Sequence, residues 1–130
     1  LTQAEKLRGE RRGTIEEDEM GQLFYGSTGQ AIEVDDALLA HVQLVTFTKL
    51  RRGESFVMSW KRPGGAGRET VWVQPSIPLR FASDSDQEIR INGKLLEDLA
   101  YAAGSLQGMD LSADVAPVLT AMRGGAQRAA

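Results

Sequence analysis

Residues 54–62 read Glu-Ser-Phe-Val-Met-Ser-Trp-Lys-Arg, a run that alternates between two faces. It puts Phe56, Met58 and Trp60 on one face and Val57, Ser59 and Lys61 on the other. A period of two is the signature of a strand with one covered face. Pro63-Gly64-Gly65-Ala66-Gly67 turns the chain, and Thr70 to Gln74 returns as a second strand, so the pair is predicted to be an antiparallel hairpin. A lone hairpin is marginal in water. The rest of the chain must therefore supply more strands and a helix to lie on the apolar face.

It does so on both sides. Gln22–Tyr25 and Gln30–Val34 flank the turn cluster Gly26-Ser27-Thr28-Gly29 and read as a second hairpin. Asp35 and Asp36 precede Ala37-Leu38-Leu39, where a carboxylate can accept the free N–H groups of a first helical turn. The helix they open is predicted over 36–52. Leu38, Val42 and Val45 form its main stripe, with His41, Thr48 and Arg52 opposite; Lys49, Arg51 and Arg52 suit the carbonyl end, and Gly53 follows as the left-handed residue. Leu44 and Phe47 fall off the stripe, so the helix is either buried between layers or meets a second molecule. Pro75 and Pro78 interrupt the chain after Gln74, making Ile77-Leu79-Phe81 a bent continuation or an edge strand. Asn92 caps a second helix whose Leu95, Leu96, Leu99, Ala102, Ala103 and Leu106 share one face. Met109 and Leu111 make a last short strand.

The order β-β-α-β-β-α-β, with one more strand where Ile77–Phe81 adds to it, predicts an α+β fold. It is a two-layer single domain, a mainly antiparallel sheet covered on one face by two helices. The domain is expected over 20–112. Residues 1–19, charged and nearly without large apolar side chains, form a mobile extension, and 113–130, rich in Ala, Gly and Arg, a mobile tail. Met20 reads as the natural start, because Glu16 to Glu19 would be encoded by a purine-rich stretch resembling a ribosome-binding site.

Much chemistry is excluded by what the chain lacks. It contains no cysteine and a single histidine, His41, so thiolate catalysis, Cys-type zinc sites and two-histidine metal motifs are impossible. No apolar run approaches the ~18 residues of a membrane helix, and no secretory pattern opens the sequence; the reading is a cytoplasmic protein away from membranes. Gly93-Lys94 is followed by Leu95 and so fails as a phosphate loop. The carboxylate pairs Asp35/Asp36, Asp84/Asp86 and Glu97/Asp98 fit a cap, a solvated loop and a solvated helix face. No catalytic residue, metal site or cofactor is expected. The basic residues carry more. Lys49, Arg51 and Arg52 close the first helix; Lys61, Arg62 and Arg68 surround the hairpin loop, with Trp60 and Trp72 nearby. Cations beside aromatic rings are what a single-stranded nucleic-acid face uses. The competing reading makes the helix-end cluster a response to the helix dipole and the tryptophans core or cross-strand partners.

The runs Met20–Gly29 and Ile32–His41, the stretch Thr48-Lys49-Leu50-Arg51-Arg52-Gly53-Glu54-Ser55-Phe56, and Thr70–Phe81 and Ile91–Ala100 together resemble a family of small actinobacterial proteins of about 100 residues. The match covers about 20–111. Members often carry the description "ATP-dependent DNA ligase", so the resemblance implies a ligase-like activity. That chemistry forms an adenylated lysine within K-x-D-G, and none of Lys6, Lys49, Lys61 and Lys94 stands in one. The leading expectation is a small non-catalytic binding or interaction module whose partner is itself, through Leu44 and Phe47, or another protein. The alternative is a nucleic-acid-binding accessory module, and ligase-like action comes third.

Overall fold

The computed structural model describes residues 19–27 and 29–112; the expectations for the two ends of the chain lie outside them. The chain runs β1 (Met20–Tyr25), β2 (Ala31–Asp35), α1 (Asp36–Arg51), β3 (Phe56–Lys61), β4 (Arg68–Val73), β5 (Leu79–Ser83), α2 (Gly93–Ala103) and β6 (Met109–Asp110). The class is α+β, mostly antiparallel. The strands divide into two three-stranded sheets, ordered β2-β1-β5 and β4-β3-β6. One sheet was expected; the split falls at the prolines. Without N–H groups at Pro75 and Pro78 the ladder of β4 cannot continue. The chain crosses instead to β1, where Leu79 faces Tyr25 and Phe81 faces Leu23.

Both hairpins form as the alternation requires. Leu23 faces Ile32 across β1–β2, and Phe56, Met58 and Trp60 face Val73, Val71 and Glu69 across β3–β4. Among the described residues the one parallel pairing is β3 with β6, where Met58 faces Met109.

Asp35 caps α1, its Oδ1 accepting from the amides of Ala37 at 2.9 Å and Leu38 at 3.3 Å. Asn92 does the same for α2 through Leu95 at 2.8 Å. Gly53 takes φ +72° just beyond α1, as a C′ residue should. α1 buries Leu38, Leu39, Val42 and Val45. It packs against β1, β2, β5 and α2, while α2 lies on β3 and β6. The helix that is apolar over most of its girth is therefore the hinge between two halves of one core. That core runs from Leu23 and Val34 through Val42 to Met58, Val73, Leu99 and Met109. Each fully buried aliphatic side chain contributes about 1.5–3 kcal/mol.

His41 departs from its expected outward position and is completely buried. Its Nδ1 lies 2.6 Å from the Ala37 carbonyl oxygen, and its Nε2 accepts from the Asn92 amide at 2.9 Å. One ring nitrogen must carry the hydrogen and the other must not, so the imidazole is a neutral strut from α1 to the first turn of α2. Helical periodicity could not show this, because the second helix occupies the side of α1 that solvent was expected to fill. Thr46, also fully buried, has a hydroxyl with no hydrogen-bond partner among the described residues.

Candidate functional site

The pairing of β3 with β4 sorts the two tryptophans onto opposite faces. Trp60 points into the core, 6% exposed, and its indole N–H donates to Glu69 at 3.3 Å. Trp72, paired with Val57 on the outer face, is 58% exposed. Burial in the core removes Trp60 from any external stacking role. The other outward pairs are Ser59 with Thr70 and Lys61 with Arg68. The outer face of the first sheet is different: there Phe24 is covered by Arg80, whose guanidinium carbon stands 4.0 Å from the ring centroid. Trp72 carries no such cover among the described residues.

Two contacts tie this face to its neighbours. The Tyr25 hydroxyl, reaching from the end of β1, donates to the Trp72 carbonyl. Burial pushes the Tyr25 phenol above its usual range, partly opposed by a hydrogen bond with the Gln74 backbone. Since β4 is an edge strand, the phenol also occupies one of the main-chain groups that an added strand would need. At the other end Arg68 donates to Ser59 Oγ at 2.9 Å and pairs with Asp110 at 2.9 Å. The Arg68 charge is thus largely answered from within.

The two basic clusters sit at opposite ends of β3. Lys49 is paired with Glu54 at 3.5 Å, while Arg51 and Arg52 are exposed at the Phe56 end. Lys61 and Arg62 are exposed at the loop end. The side chains of these last four make no ion pair or hydrogen bond with any described residue. β3 is six residues long, so about 16 Å of strand separates the clusters. They do not fuse into one patch; by register Lys61 shares the outer face that carries Trp72. Charge is segregated accordingly. Residues 48–73 hold six cations and two carboxylates, net +4, whereas the other described residues hold three cations and ten carboxylates, net −7.

The negative pole surrounds the start of α1. Asp36, 6% exposed, lines a groove of about 230 Å³ between α1 and β5, together with Leu39, Gln43, Phe81, Ser83 and Gln87. Burial raises its carboxyl above the ordinary aspartate range. A hydrogen bond with Ser83 opposes the shift, and Glu19, Asp35 and Asp84 add to it. A buried carboxylate was not expected from the sequence. In the pair Asp35/Asp36 nothing local says which residue caps and which turns inward. The decision comes from Gly21, where a Cβ would lie 3.0 Å from an Asp36 carboxylate oxygen and 2.6 Å from Leu39. The missing side chain lets the first turn of α1 settle onto β1. No group of three or more His, Cys, Asp or Glu among the described residues is arranged to hold a metal ion, and no described helix is long and apolar enough to cross a membrane.

The burial of Asp36 has a measurable consequence. The unfolded chain releases this proton near the ordinary value, while the folded chain holds it to higher pH. Raising pH through that window therefore removes stability. The stability difference between wild type and Asp36→Asn is expected to move in favour of the amide between pH 4 and pH 7, read by urea denaturation at both. A difference independent of pH would mean that the carboxylate is well solvated.

Of the self-association candidates, Leu44 is 44% exposed and Phe47 38%. Phe47 meets Phe81 edge to face, with centroids 5.4 Å apart, so the apolar surplus of α1 is partly satisfied inside the molecule.

A family model described as a domain of unknown function, DUF7882, matches residues 20–114, and the chain belongs to that family. No curated protein and no solved structure matches it significantly.

Proposed function

We propose that this member of a family of unknown function is a binding module without chemistry of its own, and that it docks an anionic partner on the outer face of β3 and β4. The observation that carries this reading is the exposed Trp72 on the outer face of β4, with exposed Lys61 on the same face and exposed Arg62 next to it, on the positive side of a polarised molecule. Cations at a helix end are explained by the dipole. Those at the hairpin loop have no such explanation, nor does an indole left in water at the cost of its apolar surface. The reading is tested with inorganic polyphosphate as probe. Binding at low salt should weaken steeply as salt is added. Reversing Lys61 and Arg62 together to glutamate should lower the log–log salt slope by about one for each phosphate that is no longer neutralised. No binding at 50 mM salt would overturn it.

A second reading has its own support: Leu44 and Phe47, three residues apart on α1, are both partly exposed and form a patch suited to a second copy of the chain. Sedimentation should then show a dimer that Phe47→Glu converts to monomer. A wild-type monomer at high concentration disposes of it.

A further inference from the structure

We infer that the anionic partner is single-stranded nucleic acid, with one base stacked on Trp72 and nearby phosphates held by Lys61 and Arg62. This rests on the reading of the β3–β4 face as a docking surface for anions and narrows it to one ligand class.

The argument begins with what the surface offers besides charge. A purely electrostatic contact, with duplex or with polyphosphate, has no use for an exposed indole, because duplex bases are stacked on each other and polyphosphate has none. An unpaired base presents its flat face, and stacking on an aromatic ring tolerates any base. Trp72 is placed for this. Its cross-strand neighbour is Val57 and its neighbour on the same side of β4 is Thr70, both small and uncharged, and the residue is 58% exposed. The Tyr25 hydroxyl fixes the Trp72 main chain, which lowers the ordering cost of binding. The cations stand at a useful distance. Lys61 pairs with Arg68, four residues along β4 from Trp72, or roughly 13 Å at strand rise. A few nucleotides of extended strand would cover that. Arg68 is left out of the contact because Asp110 and Ser59 already hold it. The strongly acidic remainder of the domain repels a longer polyanion, so the contact is short and does not wrap the protein.

Fluorescence anisotropy on the full chain at 50 mM salt tests the inference with three probes: a labelled oligo-dT, a duplex of the same length, and polyphosphate. The single strand should bind tightest. Trp72→Ala should weaken it about tenfold or more while leaving polyphosphate binding nearly unchanged, and Trp72→Phe, which keeps a stacking ring, should restore most of the loss. Circular dichroism and a thermal melt check that the variants fold, which the exposure of Trp72 favours. Equal binding of all three probes, or a Trp72→Ala variant that does not discriminate among them, overturns the inference and leaves the docking of anions standing. Failure of every probe to bind overturns both.

Discussion

Replacing Gly108 by alanine is expected to cost the domain about 2–5 kcal/mol, a large part of the roughly 5–15 kcal/mol that holds a domain of this size together. Two causes add. Gly108 sits at φ +76°, where an L side chain meets its own backbone at about 1–2 kcal/mol. It also lies against β3, so that a Cβ would fall 2.1 Å from the Val57 carbonyl oxygen. That oxygen belongs to main chain in a paired strand and cannot swing away, as the end of a flexible side chain could. β6 would have to withdraw from β3, breaking the Met58–Met109 pairing, and overpacking of this kind costs about 1–3 kcal/mol or more. Gly93→Ala is the control, since a Cβ there meets nothing within 4 Å. Urea denaturation of the two variants decides the matter. If Gly108→Ala unfolds within about 0.5 kcal/mol of wild type, the close approach of the α2–β6 loop to β3 is wrong.

His41 is the second position of large effect. Substituting leucine keeps most of the volume and removes both hydrogen bonds. The Asn92 amide then loses its acceptor at the entry to α2, and a part-buried donor without a partner costs about 1–3 kcal/mol. Alanine adds a cavity and should cost about 1–2 kcal/mol more. Beyond global stability, both variants should speed amide exchange at Asn92, because the imidazole is what ties α1 to the cap of α2. Wild-type protection of that amide in His41→Leu would show the contact to be incidental.

These two residues mark where a reading of the sequence succeeds and where it stops. The glycine-rich loop and the alternation around it specified the β3–β4 hairpin and its inward face of Phe56 and Met58, since strand periodicity is a property of neighbours in the chain. The caps Asp35 and Asn92 were legible for the same reason. The tryptophans were not told apart by the sequence, which offered both as stacking candidates; the register, Trp60 with Glu69 and Trp72 with Val57, sets them on opposite faces. By contrast Gly108, Gly21 and Asp36 carry no local signal. Each is decided by a backbone or helix turn that is distant in sequence and packs so closely that a Cβ added at Gly108 or Gly21 would collide with it.

What the sequence by itself determined is therefore the set of elements, their caps, the absence of thiol and two-histidine chemistry, and the presence of two basic clusters. These follow from covalent neighbours and from residue type. Only the tertiary structure decided that the strands form two sheets, that His41 is an internal strut, that Asp36 is buried, and that Trp72 is the ring left outside. Burial and proximity depend on which surfaces meet. α1 meets the first sheet and the second helix at once, and no periodicity along its own sequence says what will lie on either side.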